Sequence, residues 1–286
     1  MTYTFAFAKQ YVHRRSRDTT VGVVGFEPAT FRSQSGRATN LRHTPPRARP
    51  RSHSLGDARR RSDDRAVGCG GMGAVTTTFL RPGDRVLFQG DSLTDWGRDR
   101  TDPTSLGHGY AGIAAALAGA RRPDLALEFV NRGVGGDTAA MVRERWEVDA
   151  LALEPTVVSI LVGINDTWRR YDSGRPTSTD EYAEHYRHLL VTARERLDAR
   201  FVLVEPFLLP VTPDQEAWRE DLDPRIEVVR SLATEFGARL VAADGLFTEA
   251  AEAAGAAHWT TDGVHLTTAG NGLLAEAWLD TLGMPA

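Results

Sequence analysis

The chain lacks several features that would place it in a class at once. Among 286 residues there is a single cysteine, Cys69. One thiol cannot close an internal disulfide or build a thiolate metal cluster, which excludes a disulfide-stapled scaffold. Lys9 is the only lysine, so a nucleotide site built on a phosphate-gripping lysine is excluded from the rest of the chain. No apolar run approaches the roughly 18 residues that a membrane-spanning helix needs. Net charge is small as well: 34 Lys and Arg stand against 38 Asp and Glu, −4 in all. That balance argues against nucleic acid as the main partner.

What is present is unevenly divided. Residues 1–75 carry 14 Lys and Arg against 5 Asp and Glu; residues 76–286 carry 20 against 33. After Phe31 the head is rich in Arg, Ser and Pro and poor in apolar side chains, so disorder is expected there. Residues 5–7 are too short an apolar stretch for a signal peptide, and a cytoplasmic setting is expected. Arg59, Arg60 and Arg61 would suit a basic arm on phosphates, and a plain tail is the simpler alternative. A third reading is favoured. GFEPATFRSQSGRATNLRHTP (25–45) resembles the peptide read from a tRNA gene, which makes Met72 the candidate start and the head an artefact.

Residues 76–286 read as one α/β domain. Short apolar, β-branched runs at 85–89, 127–131, 156–162, 201–205 and 239–243 are expected strands. Helical spacing fills 109–120, 138–153, 179–197, 213–236 (interrupted at Pro224) and 267–282, with Thr179 or Asp180 capping the third. Such alternation predicts a three-layer α/β/α sandwich around a parallel sheet, with ligands beyond the carboxyl ends of its strands.

Four polar or glycine-rich clusters fall at those ends. GDSLT (90–94) holds a serine on a sharp turn, which serves equally as a helix cap through Asp91 or Ser92. NRGVGGDT (131–138) frees backbone N–H groups but lacks G-x-G-x-x-G order, and a simple turn into a helix explains it as well. In GIND (163–166) the Asn165 amide is a good oxyanion donor, while Asn-Asp is also ordinary turn chemistry. DGVH (262–265) sets a carboxylate three residues before an imidazole, as a general base requires. His185 and His188 also stand three apart, but no third ligand is near and a solvated face is expected rather than a metal site.

In order and spacing the four blocks resemble the SGNH/GDSL hydrolase family, over nearly all of the chain from about Arg81. FQGDSLTDWGRDR (88–100), GHGYAG (107–112), VSILVGINDTWRRYDSG (158–174) and HWTTDGVHLTTAG (258–270) look like one branch, bacterial acetyl esterases acting on acetylated xylan and xylo-oligosaccharides. The resemblance implies an SGNH, flavodoxin-like fold and a serine carboxylic-ester hydrolase. Ser92 would be the nucleophile, His265 the base and Asp262 its orienting carboxylate. Ser92 N–H, Gly136 N–H and the Asn165 side chain would form the oxyanion hole. Asp91, Trp168, Arg169 and Tyr171 are candidate substrate contacts, although Trp168 and Tyr171 would serve equally as packing residues. The resemblance implies no metal and no organic cofactor, a small-molecule or oligosaccharide ester as substrate, no nucleic-acid or membrane partner, and a symmetric homo-oligomer.

The chain departs from that branch at Thr261, where the branch commonly carries tryptophan; Trp259 stands two positions earlier. The domain's acidic balance disfavours strongly anionic polymers as substrates. Two alternatives stand beside this reading: a lysophospholipase or thioesterase of the same family, and a catalytically silent sugar-binding relative, which would have no reason to keep all five site residues.

Overall fold

The computed structural model describes residues 79–286. The expectations for the basic head lie outside the described residues. Five strands, β1 (Arg85–Gly90), β2 (Glu128–Asn131), β3 (Val157–Leu161), β4 (Arg200–Val204) and β5 (Arg239–Val241), form one sheet in the order β2-β1-β3-β4-β5, every neighbouring pair parallel. Helix α1 (Ser92–Asp95) follows β1, and α2 (Tyr110–Arg121) leads back to β2. The short helices α3 (Ala139–Glu144) and α4 (Trp146–Asp149) precede β3, α5 (Ile164–Ser173) and α6 (Thr179–Leu197) precede β4, and α7 (Pro213–Glu216) and α8 (Arg219–Phe236) precede β5. The chain closes through α9 (Ala243–Ala254), α10 (Ala256–Trp259) and α11 (Thr268–Thr281).

Side chains alternate across the sheet because the strand period is two. Val86 and Phe88 pack with Tyr110 and Ala114 of α2 and with Leu274 and Trp278 of α11. Leu87, Val158 and Ile160 pack on the other face with Val142, Tyr186, Leu190 and Val229. Each fully buried side chain of this size contributes about 1.5–3 kcal/mol, so the two apolar layers hold the sheet in place. The buried Trp278 indole donates to Ser159 Oγ at 3.0 Å, which leaves its polar atom satisfied. The expected three-layer α/β/α fold is therefore present.

Local boundaries differ from expectation for identifiable reasons. The 138–153 segment is not one helix: it breaks at Arg145, which ends α3 and starts α4. The Arg145 guanidinium donates to Gln89, to Asp137 and to the Arg132 carbonyl, at 2.7 Å each, and so ties this corner to β1. Pro224 does not interrupt its helix; α8 runs through it, and the break comes earlier, between Glu216 and Arg219. Pro224 lies on the exposed face, and the carbonyl its missing N–H would have paired belongs to Glu220, also exposed. The cap of α6 is Ser178, whose hydroxyl accepts the Glu181 N–H at 3.1 Å, rather than Thr179 or Asp180.

Strand order decides where a ligand sits. From β1 the chain moves outward to β2, then returns to the opposite side of β1 for β3. Loops leaving β1 and β3 diverge over one crevice, the usual ligand position in such sheets.

Candidate active site

Gly90 ends β1 with φ +155, and a Cβ there would stand 2.1 Å from the Leu161 carbonyl of β3. Only glycine lets the chain turn in that space. Asp91 then caps α1, its Oδ1 accepting the Leu93 N–H at 3.1 Å, while Ser92 opens the helix. Capping and display of a hydroxyl are thus divided between two adjacent residues. Ser92 Oγ lies 3.0 Å from His265 Nε2. Asp91 is 0% exposed, which corrects the expectation that it touches substrate. Burial, partly offset by the Leu93 N–H, pushes its carboxyl up to about 7.

His265 sits in a loop tied at its base. Its carbonyl accepts the Thr261 N–H at 2.9 Å and the Thr260 hydroxyl at 2.9 Å. Asp262 Oδ1 accepts the Val264 and His265 N–H groups at 3.0 and 2.7 Å, which aims Oδ2 at His265 Nδ1, 2.6 Å away. With the proton on Nδ1 facing a carboxylate, Nε2 offers its lone pair to Ser92. Burial opposes the charged imidazole, but the hydrogen bond and charge of Asp262, aided by Asp91, outweigh it and raise the His265 pKa. For Asp262, burial is outweighed by the side-chain and backbone bonds from His265, and its pKa falls below the usual carboxylate value. Gln215 donates to the Asp262 carbonyl at 2.7 Å and the Leu209 N–H to the Gly263 carbonyl at 2.9 Å, bracing the loop from behind. Trp259, two positions before Thr261, is turned to the core: its indole donates to the Ala250 carbonyl.

The donor side comes from two other strand ends. Gly136 adopts φ +89 in the loop after β2. Asn165 lies in the first turn of α5, a helix that begins where a simple turn was an open reading. Asn165 Nδ2 donates to the Asp137 carbonyl at 3.1 Å, and an amide has a second N–H to offer. Ser92, Gly135, Gly136, Asn165, Trp168, Arg169, Asp172 and His265 line a cavity of about 230 Å³. Both Asp166 oxygens accept the Ala139 N–H, at 3.1 and 3.2 Å, and Asp95 accepts the Gly135 N–H at 3.1 Å. The glycine loop is therefore gripped by a carboxylate on each side of Gly136.

Among the candidate substrate contacts, Trp168 and Arg169 line the cavity, and Arg169 pairs with Asp172 at 2.8 Å. Tyr171 does not line it. Its ring stacks on Trp218 at 5.3 Å and its hydroxyl donates to the Ala217 carbonyl at 2.7 Å, which makes it a packing residue. Sequence reading missed Trp96, whose ring lies 5.6 Å from that of His265, and the braces Asp95, Asp166, Arg145 and Gln215. The only signal for Trp96 was its place four residues after Ser92. A larger cavity of about 510 Å³ opens elsewhere, between Leu208–Pro210, the start of α8 and α9–α10, with none of these groups in its wall. Among the described residues no cluster of three His, Cys, Asp or Glu is placed to hold a metal, and no helix is long and apolar enough to cross a membrane.

Residues 88–273 match the model of the GDSL-like lipase/acylhydrolase family. An acetylxylan esterase from Geobacillus stearothermophilus is 34% identical over 209 residues, spanning 70% of this chain and 94% of that protein. Its solved structure superposes with a TM-score of 0.67 at 33% identity, covering 71% of this chain and 96% of that one. A solved Parabacteroides merdae protein, described as a GDSL-like lipase, superposes with a TM-score of 0.69 at 34% identity over 72% of this chain and 98% of that one. For the Geobacillus esterase, structures of catalytic mutants are known with a serine or an aspartate replaced by alanine.

Proposed function

Because the chain belongs to the GDSL-like lipase/acylhydrolase family and is a carboxylic-ester hydrolase, we propose that it removes O-acetyl groups from carbohydrates such as xylo-oligosaccharides, with Ser92, His265 and Asp262 as its catalytic triad. The observation that carries this reading is the continuous relay from Ser92 Oγ to His265 Nε2 at 3.0 Å and from His265 Nδ1 to Asp262 at 2.6 Å.

The chemistry follows in two displacements. Ser92 Oγ attacks the ester carbonyl as its proton passes to His265 Nε2, and the imidazolium is stabilised by Asp262. Negative charge gathers on the carbonyl oxygen, where the N–H groups of Ser92 and Gly136 and the Asn165 amide receive it. The tetrahedral adduct collapses, and the leaving alcohol takes the proton from His265. Water then gives a proton to the same nitrogen and attacks the acyl-serine, releasing carboxylic acid and restoring Ser92. The Asn165 side chain is already tied to the Asp137 carbonyl, which supports a donor that needs little reorganisation during the reaction.

Three findings support acetyl and sugar as the two halves of the substrate. The cavity beside Ser92 is small, which suits a short acyl group better than a lipid chain. The Geobacillus relative is an acetylxylan esterase, and its structure descriptions also call it an acetyl-xylooligosaccharide esterase. Aromatic rings, well suited to sugar faces, flank His265. The test is acetate release from acetylated xylobiose beside p-nitrophenyl esters of graded chain length. Acetylated xylobiose and the acetyl ester are expected to be the best substrates, with both activities lost in Ser92→Ala. Preference for long acyl chains with no sugar deacetylation would overturn the reading in favour of a lysophospholipase or thioesterase.

A further inference from the structure

An ester has two sides, and the proposed mechanism accounts so far only for the acyl side. Under the mechanism proposed above, the cavity lined by Ser92, Gly136, Asn165, Trp168 and His265 would receive the carbonyl group and a short acyl group. The alcohol must remain within hydrogen-bond reach of His265 Nε2, because that nitrogen protonates it as it leaves. A surface for the alcohol therefore has to begin beside the imidazole, which stands in the wall of the cavity.

Trp96 occupies that position. Its ring lies 5.6 Å from that of His265, tilted by 31°, and it is not part of the cavity wall. At 39% it is the one aromatic among the exposed large apolar side chains of the described residues. The other aromatic ring beside His265, that of Trp168, is already packed on Trp218 at 5.3 Å.

A lone exposed tryptophan is ordinary, but this one stands on an anchored backbone. The Trp96 carbonyl accepts N–H groups from His108 at 2.9 Å and Gly109 at 3.3 Å. A Cβ on Gly109 would come 2.8 Å from Trp96 Cβ, and one on Gly97 would come 2.1 Å from the His108 ring. The backbone that carries the indole is thus fixed beside the imidazole before any ligand arrives, which lowers the ordering cost of binding. Arg100, half exposed and paired with Asp95, brings polar donors to the same rim. Its guanidinium and Ser92 Cβ each lie 3.7 Å from where a Cβ on Gly135 would stand.

We propose that Trp96 is the alcohol-side specificity residue, a platform for the pyranose ring that carries the scissile acetyl group. This inference rests on the carbohydrate-esterase reading above. The test holds the acyl group constant and varies the alcohol: kcat/KM is measured for an acetylated methyl xyloside and for ethyl acetate, in wild type, Trp96→Ala and Trp96→Phe. The ratio of xyloside to ethyl acetate is expected to fall roughly tenfold in Trp96→Ala, mostly through KM, and to recover in part in Trp96→Phe. A loss shared by both substrates cancels in the ratio. If wild type prefers the xyloside and Trp96→Ala keeps the same ratio, the platform is wrong. If wild type shows no preference for the sugar ester, the carbohydrate reading fails first.

Discussion

Asn165 in the cavity wall and Asp166 next to it lie 6% and 0% exposed, whereas the Asp262 and His265 side chains keep 43% and 24% of their surface open to solvent. The donor side is bound into the protein through Asp166 to Ala139, Asp95 to Gly135, Asn165 to Asp137 and Arg145 to Asp137. The base side is a short loop clipped at its root and braced by Gln215 and Leu209. The contrast fits the two tasks proposed for these groups. Donors that receive developing charge work best when they do not move, and a buried network prevents movement. A base that exchanges protons with substrate, alcohol and water has to reach all three, so it belongs at the surface.

Substitutions on each side should separate these tasks. The largest effect is expected on the base side. Asp262→Asn should lower kcat by roughly 10⁴, because the histidine loses its tautomer control and its stabilised imidazolium. The pH profile should shift as well. In wild type, kcat/KM should rise with pH through an inflection above 6.5, since His265 must be neutral to act and its pKa is raised. Without the Asp262 charge that inflection should move to lower pH. An unmoved profile would detach the carboxylate from the imidazole.

On the donor side, Asn165→Ala should lower kcat by about a hundred- to a thousandfold with little change in KM. Its pH inflection should stay where wild type has it. A shifted inflection would mean that the two sides are not separable.

A smaller effect concerns stability, with opposite signs on the two sides. Burial pushes Asp166 up to about 7, against the backbone bond from Ala139, so its folded form binds the proton more tightly than the unfolded chain does. Its contribution is fully present below about pH 4 and is lost as pH rises through 7. Asp262 is lowered instead, so its contribution is present above about pH 4 and is lost as the solution becomes more acidic. Asp166→Asn, which keeps an acceptor for Ala139, should therefore gain about a few degrees in Tm over wild type at pH 8 relative to pH 5. An equal difference at both pH values would contradict the burial argument.

Much of this was legible in the residues. Ser92, Gly136, Asn165, Asp262 and His265 each follow a strand or precede a helix within a short block, so local sequence marks them. Helix α6 was read to its ends because nineteen residues carry one unbroken amphipathic period. The braces were not legible. Arg145 meets Gln89 and Gln215 meets Asp262 only after folding, and an arginine or glutamine in a helical stretch looks like any solvated residue. Tyr171 and Trp96 show the same limit in opposite directions. Both are aromatics a few residues beyond a block of candidate catalytic residues, but Trp218 captures one while the other stays 39% exposed beside His265, a difference decided by packing between distant segments. Helix α5 was missed because Asn and Asp favour turns, whereas here Asp166 is drawn to Ala139 and the helix starts at once.

The most direct test of the account is to stop the enzyme in acid during turnover of p-nitrophenyl acetate and map acetyl groups on its peptides by mass spectrometry. The account predicts one acetyl group, on the peptide carrying Ser92, and none in Ser92→Ala, which should also have lost its hydrolysis. Acetylation at another residue, or a Ser92→Ala protein that cleaves the ester at the wild-type rate, would contradict it.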